Sequence, residues 1–247
     1  MTAPRAHDIA HLRAPNAGPY TLSGTNSWIV GRDPAYVVDP GPAVAGHLDA
    51  LLAEVDARGG LGAILLTHDH GDHSGAVAEL RARTGAPLAA MRPDAEIALA
   101  DGVVVGPLTA LSTPGHTPDH LAFLAGRVCF TGDAVLGEGS VFLAAYPGAL
   151  AGYLAALRRL REEDLELLLP GHGPPITDPR GKLDEYLAHR LRRERAVLEA
   201  LSDGLRDRDE LLDRVWPRLP APLRAAAAST LEAHLQKLAD EGRLPHA

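Results

Sequence analysis

The chain has 247 residues, enough for one large domain or for a domain with a small appendage, and its 46% hydrophobic content can supply a sizeable core. Aromatics are only 4%, so the core is mainly aliphatic, and no apolar run approaches the ~20 residues of a membrane span. The formal charge of −8 argues against a general nucleic-acid binder; residues 1–181 hold 12 Lys and Arg against 20 Asp and Glu, while residues 182–247 hold 12 of each.

The first fourteen residues carry no clear period and read as an edge or partly disordered segment. They lack a charged-then-apolar signal pattern, so a cytoplasmic protein is expected. From Tyr20, two short apolar runs separated by Gly31-Arg32-Asp33-Pro34 read as a β-hairpin. Asp39-Pro40-Gly41 closes it, and Ala43 to Arg58 then shows helical spacing that ends at Gly59-Gly60. A strand at Ile64–Leu66 runs into a polar loop, and a second helix follows over Ala76–Arg83. Strands are expected at Pro87–Met91, Val103–Val105 and Ala110–Ser112, with a small helix at Pro93–Ala100. Leu121–Leu124 and Val128–Thr131 form a further hairpin, Ala149–Arg161 a helix and Leu167–Leu169 a last strand. The single cysteine, Cys129, sits in the second arm of that hairpin and reads as a buried inert thiol, compatible with a reducing compartment. Strand and helix in alternation predict a layered α/β domain over residues 1–178. Pro and Gly around Asp178 break the pattern. Residues 179–247 read as a helical or winged-helix unit, with helices at Lys182–Leu201, Asp209–Val215 and Leu223–Ala239, and a wing or tail starting at Gly242-Arg243-Leu244.

The polar loop after Leu66 carries the chemistry. His68, Asp69, His70, Asp72 and His73 put three imidazoles and two carboxylates within six positions, the ligand mixture that suits zinc and similar divalent ions. His116, Asp133 and His172 each lie on or shortly after the end of another short apolar strand, flanked by Gly, Pro or Thr. Strand ends converging on one rim are where layered α/β enzymes gather their ligands.

These residues resemble the signature of the metallo-β-lactamase superfamily. His68-Asp69-His70-Gly71-Asp72-His73 matches its HxHxDH motif, and Asp39 after a strand, His116 in PGHT, Asp133 in TGD and His172 in PGHG follow in the family's order, over about Gly24 to Gly173. GTNSW, PGHTPDH, TGDAVLGEGS and the YLAHRLRRERAVLEAL helix are similar to the lactamase-beta-2-like branch. That branch includes a single-strand-specific endoribonuclease and hydroxyacylglutathione hydrolase-like enzymes. The resemblance implies an αββα sandwich with a two-metal site at one edge and a small C-terminal winged-helix-like domain. It implies a first metal held by His68, His70 and His116, a second held by Asp72, His73 and His172, and Asp133 bridging both. Two zinc ions are expected, and iron or manganese suits the same nitrogen–oxygen set.

The expected activity is a dinuclear-zinc hydrolysis in which a metal-bridging hydroxide attacks an ester, thioester or phosphodiester, with Asp72 orienting the nucleophilic water and shuttling its proton. Asp39 reads either as a hydrogen-bonding support for a ligand or as a turn-stabilising Asp; Asn26 and Ser27 as substrate-positioning residues or as a capped strand start. His120 reads as a pocket-lining or a structural histidine, and Asp69 as solvated or supporting. His7, His11, His47, His234 and His246 stand outside any motif and read as surface residues. His189-Arg190 could reach the cleft, or else Arg190, Arg192, Arg193 and Arg195 form a solvated helix face. Two enzyme readings compete, a small ester or thioester hydrolase and a single-stranded-RNA nuclease. A non-catalytic nucleic-acid-binding module is the third. An RNA substrate needs a positive track. The acidic first domain leans toward the ester, and the closeness of the motifs leans toward RNA; the apolar Val141–Leu150 segment departs from the acidic cluster expected of ribonuclease members, so the resemblance leaves the substrate open. No membrane partner is expected, and the chain would act as a monomer or homodimer.

Overall fold

The computed structural model describes residues 8–244. Strands β1 (Ile9–Arg13), β2 (Asn26–Val30), β3 (Ala35–Val38), β4 (Leu61–Leu65), β5 (Leu88–Ala90) and β6 (Ile97–Ala98) form one sheet in sequential order. Strands β7 (Val104–Val105), β8 (Leu108–Ser112), β9 (Leu121–Ala125), β10 (Val128–Gly132) and β11 (Leu167–Pro170) form a second, in the order β11-β10-β9-β8-β7. Period-2 alternation makes each sheet two-faced. On β4, Ala63 and Leu65 pack toward the second sheet, meeting Phe123, Phe130 and Leu169, while Ile64 faces the helices α1 (Ala45–Asp56) and α3 (Val77–Thr84). On β10, Val128 and Phe130 point inward, and Cys129 points out against α4 (Ala149–Glu162). The layers are helix, sheet, sheet, helix, as expected. Burial pushes the Cys129 thiol well above its ordinary pKa, so it stays a neutral packing group.

The first strand is the edge strand of its sheet. The two hairpins, α1, α3, α4 and the short strands fall within a few residues of the sequence reading. The helix expected over Pro93–Ala100 does not form; that stretch holds the two-residue β6, paired parallel to β5. Side chains override the local pattern there. Arg92 pairs with Asp94 and Asp69, and the Glu96 carboxylate accepts the Leu88 N–H at 3.0 Å, which lays the segment along the sheet edge.

Helix α5 (Pro179–Ser202) starts with Asp178 as its N-cap and proline at its first turn. At 24 residues it is about 36 Å long, and it serves two cores. Leu183 and Tyr186 pack with α4, while Val197, Ala200 and Leu201 pack with α6 (Arg208–Val215) and α7 (Arg224–Asp240). A 3-10 turn at Ala221–Leu223 precedes α7. After α7, Gly242 takes a left-handed conformation and the Arg243 N–H returns to the Leu238 carbonyl at 2.8 Å, closing the helix; the described residues that follow it form a short tail with no wing strand. Among the described residues no helix is long and apolar enough to cross a membrane.

Several histidine and arginine expectations need correction. His47 and His234 are buried, not on the surface: His47 Nε2 meets Ser27 Oγ at 3.0 Å, and His234 lies between α7 and α5. His11 is exposed, as expected, and its ring stacks on Trp28. His7 and His246 lie outside the described residues. Arg190 is 2% exposed rather than solvated, with its guanidinium over the Tyr153 ring and a bond to the Val141 carbonyl. Arg193 is half-buried. The arginine-rich face is split: Arg190 and Arg193 turn toward the packed sides of α5, while Arg192 and Arg195 are exposed, as a solvated face requires.

Candidate metal centre

Strands β3, β4, β8, β10 and β11 all end at one rim, and each delivers a polar residue there: Asp39, His68, His116, Asp133 and His172. His70, Asp72 and His73 come from the loop and single-turn helix α2 (Gly71–Ser74) that follow β4. Ligand atoms of His68, His70 and His116 lie within 4.8 Å of one another, as do those of Asp72, His73 and His172, and those of His68, His73 and Asp133. Asp133 stands between the first two triads, its Oδ2 3.6 Å from His116 Nε2 and 3.5 Å from His172 Nε2.

The hydrogen bonds behind these side chains assign their tautomers, because a carboxylate or carbonyl can only accept. Thr67 Oγ1 donates to Asp39 Oδ2 at 2.7 Å and so accepts from His68 Nδ1 at 2.9 Å. Asp39 Oδ2 also accepts from His73 Nδ1 at 2.8 Å, and Asp39 Oδ1 takes the Thr67 N–H. The Phe142 carbonyl accepts from His116 Nδ1 at 2.8 Å, and the Gly24 carbonyl from His172 Nδ1 at 3.3 Å. Each of the four imidazoles therefore has its Nδ1 proton engaged, and in the neutral ring Nε2 is a bare lone pair turned toward the centre. There, His68 Nε2 and His116 Nε2 each lie 3.0 Å from His70 Nδ1, and His73 Nε2 lies 3.2 Å from His172 Nε2.

Facing lone pairs at such distances repel unless a cation or a proton lies between them. Asp133 Oδ1 is buried and lacks a hydrogen-bond partner among the described residues. Both observations, and an all-nitrogen-and-oxygen donor set, fit divalent ions held by the seven residues His68, His70, Asp72, His73, His116, Asp133 and His172. Without an ion, protons take that place. Burial opposes charge on His73, but the carboxylates of Asp133 and Asp39 outweigh it and hold its pKa well above the ordinary value. His172 is raised to about 9, with burial again outweighed by Asp133 and Asp72. Asp133 is buried too, yet His73 and His172 keep its carboxyl well below the usual range.

The remaining sequence candidates stand around this centre. His120 is fully buried; its Nε2 accepts the Asp133 N–H at 3.1 Å and its Nδ1 meets Thr113 Oγ1 at 2.8 Å, so neither nitrogen is free for a ligand. Asn26 is buried behind the His172 loop, donating to the Pro170 and Gly173 carbonyls at 3.0 and 2.8 Å and accepting from His11. It positions the loop and does not line the cavity. Ser27 holds His47. Asp69 is half-exposed and paired with Arg92. Thr67, Phe142 and Gly24 were not singled out from sequence; a hydroxyl directly before the first ligand histidine was the signal available for Thr67. Gly132 is also constrained, with φ 46° and a Cβ that would lie 2.5 Å from Thr67 Oγ1.

A cavity of about 790 Å³ opens over the centre. His70, Asp72, His116, Asp133 and His172 form its floor. Tyr20 and Phe142 and, from the C-terminal unit, Trp216, Leu219 and Leu223 form apolar walls.

A family model described as the metallo-beta-lactamase superfamily matches residues 20–107 and 98–172. The chain belongs to the metallo-beta-lactamase superfamily. A second model, the beta-lactamase associated winged helix domain, matches residues 208–246. The chain is 30% identical to a beta-lactamase-like protein 2 homolog of Caenorhabditis elegans, across 95% of this chain and 85% of that protein. It is 34% identical to an atrochrysone carboxyl ACP thioesterase of Aspergillus novofumigatus, across 81% of this chain and 64% of that protein. A solved metallo-beta-lactamase family protein from Thermus thermophilus shares the fold, with a TM-score of 0.81, 24% identity and coverage of 96% and 94% of the two chains. As a superfamily member with this donor set, the protein is a metal-dependent hydrolase.

Proposed function

We propose that the protein is a dinuclear-zinc hydrolase of an ester or thioester with an apolar acyl group. The observation that carries this reading is the cavity: its walls are apolar, and among the described lining residues Arg193 is the only side chain that carries a fixed positive charge. A strand of phosphates needs a track of such charges, whereas an acyl chain needs an apolar wall that excludes water. The similarity to a protein named as a carboxyl ACP thioesterase supports the same reading. Residues 1–178 would carry the chemistry, and residues 179–247 would supply one wall of the acyl site.

When bound, two divalent ions supply a water acidic enough to ionise near neutral pH and positive charge for the developing oxyanion. His68, His70 and His116 would hold one ion, and Asp72, His73 and His172 the other, with Asp133 between them. Asp72 has 28% of its side chain exposed, its Oδ2 lies 3.2 Å from His172 Nε2, and it lines the cavity floor. From there it takes the proton of the attacking water and passes it to the leaving thiolate or alkoxide as the acyl–sulfur or acyl–oxygen bond breaks. Asp39 and Thr67 keep His68 and His73 in the tautomers that leave Nε2 bare.

The test sets a medium-chain acyl thioester beside a single-stranded RNA oligonucleotide, each with zinc-loaded protein and with chelator. Chelator-sensitive thioester hydrolysis with intact RNA is expected. Chelator-sensitive RNA cleavage with an intact thioester would overturn the reading in favour of the nuclease.

A further inference from the structure

One cation on the cavity wall forms no ion pair with an acid among the described residues. Arg193, on α5, lines the cavity beside Trp216 and Phe142. Its guanidinium lies over the Trp216 ring, 5.1 Å from the centroid, and a hydrogen bond from Nη1 to the Val215 carbonyl fixes its direction. The neighbouring acid on the same helix, Glu194, is taken by Lys237 and Arg243. Among the described residues no carboxylate forms an ion pair with Arg193, and that includes Glu138, which lines the same cavity. Burial first, then the charges of Arg190 and Arg192, push the Arg193 pKa down, so its charge is held against both desolvation and like-charge repulsion.

A half-buried, directionally fixed guanidinium on an apolar wall costs free energy that an anionic ligand group would recover through charge-assisted hydrogen bonds. We propose that Arg193 is a specificity-determining residue, selecting substrates that carry a carboxylate or phosphate away from the scissile bond. The inference rests on the thioester reading above. The anion has two chemical sources, a carboxylate at the far end of the acyl chain or a phosphate on the thiol carrier. Arg193 also braces Trp216, so a purely structural role has to be separated from recognition.

Binding of non-hydrolysable thioethers to the zinc-loaded full-length protein separates them, measured by calorimetry on wild type, R193M and R193K. One arm compares an S-octyl N-acetylcysteamine thioether ending in a carboxylate with the same molecule ending in a carboxamide. The other compares S-octyl pantetheine 4′-phosphate with S-octyl pantetheine. Within each arm the ratio of affinities cancels contacts shared by the two ligands, including any made to the metals. In wild type, the charged member of one arm should bind at least tenfold tighter, and the arm identifies the source. That ratio should fall to near one in R193M and be partly kept in R193K, which retains the charge without the fork. If R193M does not fold, a reduced ratio in R193K carries the same expectation. A ratio near one in both wild-type arms, or a ratio unchanged in the variants, would overturn the proposal. Because binding is read without turnover, failure of thioester hydrolysis would remove the proposed reaction while leaving this test standing.

Discussion

At the residue scale, the centre depends as much on what stands behind the imidazoles as on the imidazoles themselves. The HDHGDH loop and the Asp and His at later strand ends were legible because each motif is local. The groups that set the tautomers were not, since Thr67 is oriented by the distant Asp39, and the Phe142 and Gly24 carbonyls reach their histidines only through tertiary contacts. Thr67→Val removes the hydroxyl shared by Asp39 and His68 and should weaken metal affinity about 10- to 100-fold, measured by competition with a chromophoric chelator, with the melting temperature little changed. Asp72→Ala should lower kcat by at least about 10³-fold, the scale of a lost proton-transfer group together with a displaced ligand, while circular dichroism shows a folded chain. Near-normal turnover of metal-loaded Asp72→Ala would remove Asp72 from the proton transfer.

Elements carry the next level. The strands and long helices were readable because period 2 or 3.6 repeats within each. The segment after Pro93 was misread because an ion-pair cluster around Arg92 and Glu96, drawn from three separate places, decides its path. The same limit hid His234. Helical spacing put Leu231, Leu235 and Leu238 on a buried face, yet nothing local marks a histidine on that face as enclosed. His234 is 0% exposed, with both ring nitrogens lacking partners among the described residues. Burial, then Arg190, Lys237, His189 and Arg193 around it, lower its pKa from 6.5 to about 3. A lowered folded-state value means that the unfolded chain binds the proton more tightly. The contribution of neutral His234 is therefore complete above pH 6.5 and is lost as pH falls toward about 3, by up to about 1.4 kcal/mol per pH unit. Urea midpoints at pH 7.5, 5.5 and 4.5 should fall more steeply for wild type than for His234→Leu; parallel slopes would show that His234 does not titrate on unfolding.

For the whole molecule, the C-terminal unit is tied into the centre. The Thr230 hydroxyl accepts the Leu143 N–H at 3.0 Å, Ser229 donates to the Leu143 carbonyl at 2.8 Å and Arg190 holds the Val141 carbonyl, so α5 and α7 fix the segment whose Phe142 carbonyl orients His116. The Val141–Leu150 run looked apolar and featureless in sequence because its contribution is a backbone carbonyl and a cavity wall. A helical C-terminal unit was legible from the character of the last third of the chain, but not that α5 serves both cores.

In the proposed reaction, two metal ions held by the seven residues are required for thioester hydrolysis. The most direct measurement strips the protein with a chelator, removes the chelator and titrates zinc back while following hydrolysis of an acyl thioester. The stripped protein should show no turnover, and activity should rise to a plateau at two zinc ions per chain. Turnover that survives stripping, or a plateau complete at one ion, would contradict that requirement.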